Sequence, residues 1–252
     1  MSTRPAVLAF DSNETLLDLA ALDPAFREAF GAAPGLAALG AAAPGTAARR
    51  TWFKQVLELF LTATITDHYR PFDQLAGVAL DMTAQQLGLG EVPAAGRARI
   101  MAELLALPLH ADVKPALARL RAAGVRVAVL TNSTEKSVRA QMAANGVADE
   151  FERILSADAV ERYKPAREAY AYAARELGVK PKEVLLVAAH GWDCAGALAA
   201  GCRAAFVRRP GQALDPKGPR PELDVNTLYA LADSVLGARR WARRRGGWNP
   251  PR

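Results

Sequence analysis

A chain of 252 residues that is 51% hydrophobic and 23% charged has material for a large buried core and is too apolar to be disordered. Its formal net charge of +6 belongs to one end. Residues 239–252 hold six arginines (Arg239, Arg240, Arg243, Arg244, Arg245, Arg252) and no acid, and the remainder carries 26 basic against 26 acidic residues, which argues against a nucleic-acid partner.

In chain order, VLAF (7–10) reads as a short buried strand that turns sharply polar in DSNET. Asp11 with Glu14 three residues on is a capping-box pattern, so Asp11 either caps a following helix or does chemistry. Residues 19–105 read as helices without a convincing strand. ALDPAFREAF places Asp23 to cap and Pro24 at a first helical position. TWFKQVLELFLTATITDHY has apolar residues at 52, 53, 56, 57, 60 and 61, a helical stripe, and FDQLAGVALDMTAQQLG and RARIMAELLAL add two more helices. Between the first two lies GAAPGLAALGAAAPGTAA, whose prolines and glycines predict a connection with little fixed structure.

From residue 113 the pattern alternates. KPALARLRAAG is an amphipathic helix closed by glycine, followed by the strand VRVAVLTN. Further strands are expected in FERILSAD, VLLVAAH and CRAAFVRR, separated by helices in EKSVRAQMAANG, PAREAYAYAARELG and WDCAGALAAG. Such βαβ spacing predicts a buried parallel sheet that VLAF would join. Cys194 and Cys202, eight apart in a helical stretch, would lie about 12 Å apart, too far for a disulfide. With no secretion signal and no apolar run of membrane length, a cytoplasmic protein without a membrane partner is expected. The domain reading is residues 1–18 and 106–238 as the α/β core, 19–105 as a helical insert and 239–252 as a flexible basic tail.

Ligands of an open parallel sheet bind beyond the carboxyl ends of its strands. There the chain delivers Asp11, Ser12, Asn13 and Thr15 from the first strand, and Thr131 and Asn132 from the second. Lys164 follows the third strand, and His190 and Asp193 follow the fourth. Each has a bland reading as cap, turn or surface residue, and Trp192, Tyr163 and Tyr170 read as packing. Convergence from four strand ends is what points to a site.

Asp11-x-x-x-Thr15, Leu130-Thr131-Asn132, Tyr163-Lys164-Pro165 and Trp192-Asp193 resemble the four ordered motifs of the haloacid dehalogenase superfamily. Over about residues 5–235 the chain is more closely similar to the type II 2-haloacid dehalogenase branch. The resemblance implies a Rossmann-like core with a helical cap after the first strand, and Asp11 as a nucleophile toward carbon. It implies Lys164 as the cation that keeps Asp11 ionised and Asp193 as the base that activates water. Ser12, Asn13, Thr15, Thr131, Asn132, Trp52, Phe53, Tyr170 and His190 would bind a small 2-haloacid, with water as co-substrate and no cofactor or metal. A homodimer is compatible with it. Phosphatases, the main alternative, resemble one another in a second aspartate two positions after the nucleophile, where this chain has Asn13, and in a metal-binding carboxylate just after the fourth strand, where it runs Ala188-Ala189-His190 and leaves Asp193 as the only nearby acid. A non-catalytic small-acid binder is the other alternative. Within the dehalogenase branch the chain departs at Phe53, where an arginine contacts halide and substrate, and at Ala188 and His190, where Ser and Asn are usual. Arg49 and Arg50 lie within a turn of that position. His190 and the Trp52 indole N–H would then form a smaller pocket, with fluoroacetate among the substrates.

Overall fold

The computed structural model describes residues 4–38 and 43–245. Six strands form one parallel sheet: β1 Val7–Phe10, β2 Arg126–Thr131, β3 Arg153–Ser156, β4 Val184–Ala188, β5 Arg203–Val207 and β6 Leu223–Val225. Their order is β3-β2-β1-β4-β5-β6, so β1 is central, with Phe10 level with Val129 on one side and Val187 on the other. The mixed α/β architecture expected from the alternation is what the chain adopts; β6, three residues at the edge, is an addition.

Alternation along each strand divides the core between the two faces. Leu8, Phe10, Val127, Val129, Leu185 and Val187 pack with residues of α6 (Val113–Ala122), α7 (Glu135–Ala144) and α10 (Leu228–Arg245). Val7, Ala9, Ala128, Leu130 and Leu186 pack with α8 (Arg167–Glu176) and α9 (Gly191–Ala199). Near-continuous apolar strands are what a sheet covered on both faces requires.

Between β1 and α6 the described residues contain helices and no strand: α1 (Asp23–Phe30), α2 (Pro34–Ala38), α3 (Pro44–Ile65), α4 (Phe72–Gln86) and α5 (Ala94–Leu105). The Gly/Pro-rich stretch is more ordered than expected. Pro34 and Pro44 each open a helix, a position where the missing N–H has no intrahelical partner to lose; residues 39–42 of that stretch lie outside the described residues. Asp23 is the first residue of α1 rather than its cap, and its carboxylate accepts from Thr46 Oγ1 and Arg49 Nε, both at 2.5 Å. Helix α10 runs into the arginine-rich segment as far as Arg245, and residues 246–252 lie outside the described residues. Cys194 and Cys202 are buried free thiols, and among the described residues no helix is long and apolar enough to cross a membrane.

Candidate active site

β1 ends by delivering Asp11 to the carboxyl edge of the sheet, where its N–H still donates to Val187 O at 2.9 Å. No helix follows, which corrects the capping expectation: Glu14 adopts a left-handed backbone (φ 59°) that a helix cannot continue, and the next helical turn, Leu19–Leu22, is capped by Asp18. The loop folds back on the nucleophile. Thr15 Oγ1 donates to Asp11 Oδ2 at 2.8 Å and accepts from Ala189 N at 2.9 Å, tying β1 to β4 through one hydroxyl.

Lys164, 1% exposed, precedes α8 and directs its ammonium into the same edge. Nζ donates to Asp11 Oδ1 at 2.9 Å, Asp193 Oδ2 at 2.7 Å and Leu130 O at 2.9 Å, which uses all three protons. Asn132 holds the lysine backbone from both sides, accepting from Lys164 N at 2.8 Å and donating to Lys164 O at 3.1 Å. Burial alone would raise the Asp11 pKa; Lys164 and His190 outweigh it and hold the carboxyl ionised, well below its usual range. Burial penalises the Lys164 ammonium, but the two aspartates keep its pKa raised. Asp193, fully buried in the first turn of α9, is raised chiefly by burial, which Lys164 only partly offsets; its Oδ1 accepts from Tyr170 at 2.6 Å. A low-pKa carboxylate and a higher one thus share a single ammonium.

His190, after β4, faces two carboxylates. Nδ1 lies 3.3 Å from Asp11 Oδ2 and Nε2 lies 3.0 Å from Glu14 Oε2. Glu14 also meets Arg49 Nη1 at 3.4 Å and Gln212. The imidazole is stacked between Phe53 (centroids 5.5 Å apart) and Trp192 (5.1 Å). Against burial, Asp11 and Glu14 push the His190 pKa up to about 9. Beside these groups opens a cavity of about 380 Å³, lined by Glu14, Arg49, Phe53, His190 and Trp192 among others. The Trp192 indole N–H is buried without a protein partner, as is the Asn13 side-chain oxygen. Arg49, Phe53 and Leu57 of α3 all line the cavity, so an i, i+4, i+8 row of the helix faces it.

Several expected substrate contacts are engaged elsewhere. Trp52 is a correction: it is 0% exposed, packs on Phe26, and donates its N–H to Ala76 O at 2.9 Å inside the helical layer, so it is not part of the pocket. Neighbouring helix positions point about 100° apart, and Phe53 takes the cavity side. The Tyr170 hydroxyl is committed to Asp193. Thr131 and Ser12 share a 2.6 Å hydroxyl bond, and Asn13 Nδ2 donates to Ser133 Oγ at 3.2 Å. Glu14, Gln212 and the Trp192 N–H were not among the expected site residues. Arg49, Phe53 and Leu57 share a four-residue spacing, but so do the buried Trp52, Val56 and Phe60, so spacing alone does not choose between the two rows.

Residues 5–201 match the family model for haloacid dehalogenase-like hydrolases. An (S)-2-haloacid dehalogenase of Pseudomonas sp. (strain YL) is 29% identical over 226 residues, 90% of this chain and 92% of that protein. Two solved structures of an L-2-haloacid dehalogenase from Xanthobacter autotrophicus superpose well. One has TM-score 0.81, 26% identity and covers 92% of this chain and 99% of its own. The other, with chloropropionic acid covalently bound, has TM-score 0.79, 25% identity and the same coverage.

Proposed function

This chain belongs to the haloacid dehalogenase-like hydrolases, and on that premise we propose that it converts short 2-haloacids to 2-hydroxy acids through an ester on Asp11. The observation that carries the reading is the Asp11–Lys164–Asp193 triad: an ionised nucleophile and a buried higher-pKa carboxylate bridged by one ammonium.

In the first step an Asp11 oxygen attacks the halogen-bearing carbon, and the carbon–halogen bond breaks with its electron pair leaving as halide. A carboxylate is a weak nucleophile, so alignment and exclusion of water supply much of the acceleration. Asp11 is 5% exposed, which suits that demand. In the second step Asp193 takes a proton from water, the hydroxide attacks the Asp11 carbonyl carbon, and the ester bond to that carbon breaks. The proton held by Asp193 passes to the product alkoxide. Tyr170 and Lys164 orient Asp193 for this exchange. Helices α1–α5 act as the cap: α3 brings Arg49 and Phe53 to the cavity, and Tyr163 Oη fastens to Arg70 O at 2.6 Å. Arg49 and the unpaired Trp192 N–H take the place of the halide-binding arginine, and with His190 beside them these donors extend the proposal to fluoroacetate.

The donor set does not fit magnesium. Among the described residues no three His, Cys, Asp or Glu side chains are grouped to hold a metal. Just after β4 the chain runs Ala188-Ala189-His190 and leaves Asp193 as the nearby acid, its carboxylate already bound to Lys164 and Tyr170, whereas a hard cation requires several oxygen ligands. Asn13 cannot act as the proton donor of a phosphoryl-transfer reaction. The test pairs halide release from chloroacetate, 2-chloropropionate and fluoroacetate without metal against phosphate release from p-nitrophenyl phosphate with magnesium, with Asp11→Asn as control. Halide release abolished in that variant is expected; phosphate release alone would refute the reading, and chloride without fluoride would refute its fluoroacetate part.

A further inference from the structure

Glu14 has no role in the reaction as written, yet it is the most heavily bonded residue at the cavity mouth. Its backbone is held at φ 59°, a conformation uncommon for any residue with a side chain. Its carboxylate meets His190 Nε2, Arg49 Nη1 and Gln212 Nε2. Strain retained by converging side-chain bonds is a mark of functional loops.

The second observation is the environment of His190. Both ring nitrogens face carboxylate oxygens, at 3.3 Å for Asp11 and 3.0 Å for Glu14. An ionised carboxylate only accepts, and a neutral imidazole has only one N–H. With a single proton, one nitrogen lone pair would point at a carboxylate lone pair. Only the imidazolium satisfies both contacts. The Phe53 and Trp192 rings on its two faces favour the cation as well.

We infer that Glu14 is a positioning residue that keeps His190 as an imidazolium beside Asp11, and that this cation is what admits an anionic substrate to the nucleophile. The inference rests on the 2-haloacid reading for its substrate. Without that charge, a haloacid carboxylate would meet Asp11, Glu14 and Asp193 where Lys164 is already shared between two aspartates and Arg49 is paired with Glu14 and Asp23. The other charges around the ring are Arg49, Arg50 and Lys54 of α3, which line the cavity, and Lys164 with Asp193 beyond Asp11. Those cations oppose protonation, which leaves Asp11 and Glu14 as the groups that sustain it; the His190 pKa of about 9 agrees. As pH rises through that value the charge is lost and an anionic substrate is rejected.

The test is a histidine-ring NMR titration of the wild-type protein and Glu14→Gln, together with kcat/KM for chloroacetate from pH 6 to 10. Gln keeps the length and one acceptor oxygen, removes the charge, and replaces the other acceptor by an NH2 donor. In the wild type His190 titrates near 9, and in E14Q its pKa falls by about one unit or more. The alkaline limb of kcat/KM follows it downward, through KM more than kcat. A wild-type His190 titrating near the usual histidine value would overturn the inference whether or not the variant folds. An unmoved titration in E14Q would overturn it as well, and a limb that ignores the titration would remove the role in substrate admission. A wild-type protein that releases no halide fails the 2-haloacid reading instead. The titration then still decides whether Glu14 sets the charge of His190.

Discussion

Replacing Lys164 by Met keeps the aliphatic stem and deletes the ammonium. In the native site that group lies 2.9 Å from Asp11 Oδ1 and 2.7 Å from Asp193 Oδ2, so those oxygens are less than about 6 Å apart. At an effective dielectric of about 20 their bare repulsion is about 3 kcal/mol, and deleting one partner of a buried ion pair typically costs about 3–5 kcal/mol. For a chain of this size that lowers Tm by roughly 10 °C at pH 7. The pH dependence has a definite sign. In the wild type Asp11 has a depressed pKa, so its contribution is present above the unfolded carboxylate pKa and fades as pH falls. In K164M burial and mutual repulsion lose their main counterweight, one carboxyl binds a proton more tightly folded than unfolded, and stability rises as pH falls from 7.5 to 5.5. Calorimetry of both proteins across that range measures it. A K164M protein as stable as the wild type at pH 7, or one that loses Tm on acidification, would refute the bridging-cation account.

Four further outcomes are expected. Asp11→Asn abolishes halide release while remaining folded by circular dichroism. Trp52→Phe removes the bond to Ala76 and part of a fully buried ring, so it costs about 2–5 kcal/mol in denaturant melts and leaves kcat within a few-fold of the wild type; a collapse of kcat in a folded W52F would restore Trp52 to the pocket. Tyr170→Phe strips Asp193 of a donor and slows ester hydrolysis more than alkylation, so mass spectrometry of the working enzyme detects accumulated ester on Asp11. His190 has a pKa raised to about 9, so its stabilising contribution is complete below the unfolded value of 6.5 and disappears as pH rises through 9. That difference corresponds to about 3 kcal/mol, and a His190→Asn variant loses the corresponding fall in Tm between pH 7 and 9.5.

The strands flanking the site are legible because buried parallel strands are short apolar runs, and VLAF, VRVAVL and VLLVA read as such before any packing is known. Their polar termini fall at the same sheet edge by topology alone, which is why Asp11, Lys164 and Asp193 are found together. What fails are choices between neighbours. An apolar stripe on α3 includes both Trp52 and Phe53 and does not say which faces the helical layer and which the cavity. Glu14 matches a capping box locally, but the left-handed turn that removes the helix is imposed by His190, Arg49 and Gln212 from distant segments. Asn132 reads as a substrate donor because its partner, the backbone of Lys164, is 32 residues away. In α10 the periodic Leu228, Leu231, Ala232 and Val235 are overshadowed by the arginines that follow them.

If Asp11 is the nucleophile, one of its oxygens ends up in the product. A single turnover of chloroacetate with excess enzyme in heavy-oxygen water, followed by mass spectrometry of the peptide containing Asp11 and of the glycolate released, tests it most directly. Label in Asp11 and unlabelled glycolate are expected. Labelled glycolate with an unlabelled Asp11 would mean that water attacks the substrate directly, and would contradict it.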